Sequence, residues 1–232
     1  MPEPTLHARI REAILTLDLA PGQRLSERGL EPEFGASRTP IRAALMRLEA
    51  EGLTRREGKN WFVTPIDLDE VRGLYEFREV LESASVRLAT ERASDSDLRM
   101  LAGLAPSPTS VETPEHSVDV GTHFHLELAR LGGNEFLLSA MDGVLTRLYR
   151  ARWLEVRSAE SRARAHREHE ALAAALIDRD SAAAELAMLE HLRGTGGRLV
   201  ESLQGARRSL RGHGIAVDGT AMEPVTASPP RD

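Results

Sequence analysis

Three histidines, His125, His169 and His191, stand 44 and 22 residues apart. Each falls in its own helix-patterned stretch. Phe124, Leu126 and Leu128 surround the first, Leu172 follows the second, and Leu189 and Leu192 flank the third. In a helical bundle, metal sites are built from inward side chains on facing helices. Three neutral imidazoles with a water or ligand oxygen suit Zn²⁺, Ni²⁺ or another late divalent ion. Hydrogen-bonded or surface histidines explain each of them equally well when taken singly. His123 points away from the His125 face. His7, His116, His166 and His213 read as solvent-exposed, though His166 lies one turn from His169 and is a further candidate for the site.

The second set of residues is cationic. Arg38 and Arg42 lie one helical turn apart and flank an apolar stripe of Ile41, Leu45 and Leu48. An arginine at the start of such a helix can donate two hydrogen bonds to guanine O6 and N7. An ordinary solvated helix face accounts for two arginines as well. Arg78 is followed one turn later by Glu82, which reads as a surface ion pair. Arg147, Arg150 and Arg152, around Tyr149 and Trp153, are further candidates for a cavity wall.

To position these residues, the chain must supply two kinds of scaffold. Residues 5–17 repeat Leu6, Ile10, Ala13, Ile14 and Leu17 on one helical face. Ser26 caps a second helix that Gly35 ends, and Ser37 caps a third with Pro40 in its first turn. Gly52 closes that helix. Two short extended runs then surround Gly58, Lys59 and Asn60, which is a hairpin signal. A helix-turn-helix followed by a hairpin is a winged helix. Arg55, Arg56 and Lys59, the only lysine in the chain, place positive charge on the wing.

From Asp69 onward the pattern is helical. A stripe runs through Val71, Leu74, Phe77, Leu81, Ala84 and Leu88. Further helices are expected at 95–104, 118–131, 135–156, 158–177 and 182–203, with a loop at 105–110. This is an all-α antiparallel bundle. The fold class is therefore mostly α: a winged helix-turn-helix over 1–66, then a helical bundle over 67–211. From 212 to 232 Gly, Pro, Thr and Ser dominate and no apolar face repeats, so a disordered tail is expected.

Composition narrows the function classes. The chain has 232 residues and no cysteine, which removes disulfides, thiolate metal sites and a cysteine nucleophile and fits a reducing cytoplasm. Neither a membrane-spanning run nor a signal peptide is read. The net charge of −6 argues against nucleic acid at first sight. However, residues 1–66 hold 10 Lys+Arg against 9 Asp+Glu, and the remainder holds 20 against 27. The acidic excess lies in the helical part, so DNA binding would rest on a local patch.

With these residues in hand, residues 5–66 resemble the N-terminal domain of the GntR family of bacterial transcription regulators. The matching blocks are Ile10 to Ile14, Ala20 to Glu27, Phe34 to Leu45 and Arg47 to Leu53. The helical part resembles the FCD domain of the family's FadR-type branch. Its blocks are Phe77 to Glu82 with Leu88-Ala89, Phe124 to Ala129 with Gly133-Asn134, Glu168 to Leu172 with Asp180, and Met188 to Leu192.

The resemblance implies that Arg28, Arg38, Arg42 and the wing at Lys59 contact DNA. Ser37 and Thr39, in the same first turn, are taken with them. It implies that His125, His169 and His191 ligate a metal, and that Arg78, and with it Arg150, meets an effector. Two departures stand out. The family usually has Gly where this chain has Asn60, a residue that also tolerates positive φ. The usual Asp one turn before the first histidine is Gly121 here, so any Zn or Ni site is more open and weaker. Asp119 lies on another face of the helix. The function implied is a homodimeric, cytoplasmic repressor that leaves a palindromic operator when a small organic acid binds. A His-ligated metalloenzyme, or a DNA-binding protein without effector, are the alternatives.

Overall fold

The computed structural model describes residues 4–105, 113–156, 158–212 and 215–219. Most of the expected 105–110 loop, His213, and the tail from 220 lie outside these residues. The N-terminal unit contains α1 (Leu6–Leu15), β1 (Arg24–Leu25), α2 (Glu27–Phe34), α3 (Arg38–Ala50), β2 (Thr54–Glu57) and β3 (Asn60–Val63). Ser26 Oγ accepts from Gly29 N, and Gly35 ends α2 at φ +62°. These are the start and stop that the sequence implies. Ser37 precedes α3 but makes no side-chain capping bond. Ile10, Ile14, Leu30, Ile41, Leu45, Leu48, Leu53, Trp61 and Val63 make the core.

The wing is a three-stranded antiparallel sheet in the order β1-β3-β2. The strand β1 escaped sequence reading because two residues carry no periodicity. The β2–β3 turn has Gly58 at φ +59°, so the glycine supplies the left-handed residue that a two-residue hairpin needs. Asn60 does not take positive φ. It opens β3 opposite Glu57, and its Oδ1 accepts from Arg24 Nη2 at 2.6 Å.

The C-terminal unit begins at β4 (Ile66–Asp67), where Asp67 caps α4 (Leu68–Arg92). Helices α5 (Asp95–Gly103), α6 (Pro114–Leu131), α7 (Glu135–Glu155), α8 (Ala159–Ile177) and α9 (Ser181–Gly212) follow. Helix α4 is central, packing on α6, α7 and α9, while α8 packs on α5 and α9. Helix α6 starts four residues before the expected 118, because Thr113 Oγ1 caps it. Helix α9 continues past the expected 203, burying Leu210. The buried face of α4 is not the apolar stripe read from the sequence. It runs through Val71, Tyr75, Arg78, Leu81, Glu82, Ser85, Val86 and Ala89, leaving Phe77 and Val80 46% and 67% exposed.

The expectation of disorder from 212 fails for residues 215–219. Val217–Asp218 form β5, a parallel partner of β4 with Ile66 opposite Val217. Val217 is fully buried in the core of the helical unit.

Candidate functional site

Two sites emerge, one on each unit. On the first, α3 and the wing enclose a cleft of about 550 Å³ lined by Arg28, Arg38, Arg42, Arg56, Lys59, Asn60 and Trp61, among others. Arg28, Ser37, Arg38, Thr39, Arg42 and Lys59 are all exposed. Arg42 is preset. Its Nε and Nη2 each donate at 2.7 Å to the two oxygens of Glu27 across the helix-turn-helix. That bond holds the Glu27 carboxyl below its usual range. Glu27 was not among the sequence candidates, and the partnership crosses two helices, so no local pattern signals it. Arg56 lies over the Trp61 ring at 5.6 Å. The arrangement gathers five of the unit's 10 basic residues on one concave face, as phosphate and base contacts require.

The second site is buried. His125, His169 and His191, from α6, α8 and α9, offer ring nitrogens that lie within 4.8 Å of one another. They are 1%, 2% and 3% exposed. His125 Nε2 and His169 Nε2 are 3.4 Å apart. A tetrahedral centre with bonds of ~2.0–2.1 Å separates its ligand atoms by roughly that distance. Carboxylates fix two of the rings from behind. His125 Nδ1 donates to Glu82 Oε2 at 2.6 Å, and His191 Nδ1 donates to Glu168 Oε2 at 2.7 Å. Each bond leaves the Nε2 lone pair turned inward, the second shell that metal-binding imidazoles use. His169 Nδ1 has no hydrogen-bond partner among the described residues. The donor set therefore fits a divalent metal with three protein nitrogens.

Burial governs protonation here. It pushes the His125 imidazole down to about 3, against the pull of Glu82, and holds His169 well below its usual value. For Glu82, burial alone would raise the carboxyl. The Arg78 guanidinium and His125 overcome it and bring the carboxyl to about 2. All three groups are thus in the ligating or anchoring form at neutral pH.

Arg78 is fully buried, with Nε donating to Glu82 Oε1 at 2.7 Å. The surface ion-pair reading of Arg78 and Glu82 is overturned, because both side chains are 1% exposed. Arg78 supports the histidines through Glu82. Arg150 is not brought to them. Its Nη1 donates to Thr64 O at 2.6 Å, and it faces the joint around Gly52, Pro65 and Ile66. Arg152, two residues along α7 and therefore on the other side of that helix, is the arginine that reaches the cluster. A Cβ on Gly121 would sit 2.9 Å from Arg152 Nη2 and 3.9 Å from His169 Cε1. The space left by Gly121 is filled by a guanidinium, which also donates to Thr122 Oγ1 at 2.8 Å.

His166, expected at the surface, is 7% exposed and pairs with Glu170 at 3.1 Å. It does not join the three. His7, also expected at the surface, is half-buried and bonds Glu51 at 2.6 Å between α1 and the end of α3. His116 and His123 are exposed as read. Glu82 and Glu168 were missed as site residues. Glu168 adjoins His169 in the chain, but it serves His191.

Among the described residues no helix is long and apolar enough to cross a membrane. Residues 4–63 match the family profile of bacterial regulatory proteins of the gntR family, and residues 73–194 match the FCD domain. The Nta operon transcriptional regulator of Aminobacter aminovorans is 31% identical over 189 residues, covering 80% of this chain and 89% of that protein. The HTH-type transcriptional regulator LutR of Bacillus subtilis is 30% identical over 199 residues, covering 75% and 90%. A GntR regulator structure from Rhodococcus sp. RHA1 superposes with a TM-score of 0.71 at 22% identity, covering 84% of this chain and 96% of that one. The winged-helix cleft, the buried histidines of the helical unit and these likenesses lead to one conclusion: the chain belongs to the GntR family and is a transcriptional regulator with an FCD domain.

Proposed function

We propose that this regulator is a metal-assisted acid sensor: a homodimeric repressor that leaves a palindromic operator when a small carboxylate enters the helical domain. The observation that carries the reading is the convergence of three buried imidazoles, two of them anchored by carboxylates. His125, His169 and His191 would hold Zn²⁺ or Ni²⁺. Bound there, the ion supplies Lewis acidity toward an anionic oxygen. Arg152 at Gly121 gives the site a positive edge instead of a carboxylate. An anionic ligand would then supply the missing negative charge, so metal and acid would bind with mutual reinforcement. Among the described residues, Glu82 and Glu168 beside the imidazoles are committed to the ring Nδ1 positions, which leaves neither free as a general base. The domain therefore serves sensing better than turnover.

On the DNA side, Arg38 and Arg42 would read base edges, with Arg28, Ser37, Thr39 and Lys59 on the backbone. The exposed Phe77 and Val80 on α4 support a dimer, which would set two winged helices on two half-sites. The same Arg152 favours one other reading, a metal-free anion pocket lined by the histidines. The test is fluorescence anisotropy on an operator selected from a random library, with a panel of metabolic acids, with and without Zn²⁺. Metal-dependent release by one acid supports the proposal. Release that a chelator leaves intact selects the metal-free pocket.

A further inference from the structure

The C-terminal segment 215–219 touches three parts of the molecule. Ala216 N donates to Pro21 O at 2.9 Å, in the loop that leads to β1 of the DNA-reading unit. Ile66 N donates to Ala216 O at 3.0 Å, at the linker between the units. Arg207 Nε donates to Val217 O at 3.1 Å, and Ile215 N to Leu210 O at 2.9 Å, both on α9. Two glycines admit this close approach. A Cβ on Gly22 would lie 2.5 Å from Ala216 Cβ, and one on Gly219 would lie 2.9 Å from Leu68 Cβ. Val217 inserts fully between Ile66, Leu68 and the end of α9. A segment beyond the last helix holds a fixed place only when it is tied down, and here backbone bonds and a buried side chain tie it.

Helix α9 also carries His191. At about 1.5 Å per residue, His191 and Arg207 are ~24 Å apart on one continuous helix. Helix α9 thus links His191 physically to the segment that bonds Pro21 and Ile66. We propose that residues 215–219 are a strap that fixes the DNA-reading unit on the helical unit, and that α9 is its lever, carrying the state of the histidine site to the winged helix. The lever half rests on the proposal that the histidine site takes a ligand. The strap half stands without it. Coupling of this kind needs a physical element that both sites bias.

Hydrogen exchange on the full chain tests both halves, with Val217→Asp as the breaking variant and Val217→Ile as the conservative control. If the strap holds, Val217→Asp speeds exchange at 20–24 and 64–68 at least tenfold. Segments within 181–205 and the helical circular dichroism stay as in the wild type, and Val217→Ile matches the wild type. Unchanged exchange at 20–24 and 64–68 in Val217→Asp overturns the strap. For the lever, Zn²⁺ alone is added. It should shift exchange at 20–24 in the wild type and leave 20–24 unmoved in Val217→Asp. Equal zinc responses in both proteins, or bound zinc with no response at 20–24 in the wild type, overturn the lever. If calorimetry finds no zinc binding, the metal reading above falls on its own. His191→Phe then replaces zinc as the perturbation, with the same two outcomes.

Discussion

Arg38 and Arg42 on the recognition helix keep side chains 57% and 61% exposed while facing Glu31 and Glu27. Arg78 and Glu82 in the bundle make the same type of pair with both partners 1% exposed. The chemistry is alike and the consequences differ. An exposed pair is worth about 0–1 kcal/mol and can be traded for DNA phosphates and bases at little cost. A buried pair cannot open without leaving a desolvated charge, so it holds its shape and passes that rigidity to His125. The exposed site is built to exchange partners, the buried one to keep geometry.

The largest expected effect breaks the buried side. Glu82→Ala strands the Arg78 guanidinium and frees His125, and should cost about 3–5 kcal/mol of stability. Arg42→Ala should leave stability nearly unchanged. Paired denaturation curves check the contrast, and similar losses for the two variants would dissolve it.

Next comes base reading. Arg42→Ala should weaken operator binding by about 1–3 kcal/mol and relax preference at one base position. Glu27→Gln should weaken it less, since it removes only the group that presets the guanidinium. Anisotropy titrations at fixed salt distinguish them.

The third prediction is pH dependence. The folded values of His125 and Glu82 lie below their unfolded ones, at about 3 and about 2. Below pH ~6.5 the unfolded chain takes up the histidine proton and the folded chain does not, so stability falls as pH drops from there toward 3. Glu82 adds a further loss between about 4.5 and 2. Acid titration of the melting temperature should show the decline beginning near pH 6.5 in the wild type and weakened in His125→Phe. A flat profile to pH 4 contradicts the burial account.

The smallest effect belongs to the wing. Lys59→Ala should weaken all DNA sequences alike and lower the salt slope by about 1. A loss confined to the operator would move Lys59 from backbone to base contact.

The two sites also differ in how far the sequence discloses them. The DNA-reading unit is coded locally. Ser26 and Gly35 mark one helix, Pro40 and Gly52 frame the next, and Gly58 fixes the hairpin, so Arg38, Arg42 and Lys59 could be placed from spacing alone. The histidines could be placed on three helices, but their support could not. Glu82 lies 43 residues from His125, and Arg152 fills the space at Gly121 from a different helix. The buried face of α4 misled because Arg78 and Glu82 point inward where the apolar Phe77 and Val80 point out. The strand at Val217 has two residues, too few for periodicity, and its order comes wholly from tertiary contacts.

In the proposed function, the buried histidine site controls the exposed arginine site. Operator release by the effective acid, measured side by side for wild type and His169→Ala in the presence of Zn²⁺, tests it most directly. Both proteins should bind operator with the same affinity without acid, and only the wild type should be released. Equal release of the two proteins would contradict it.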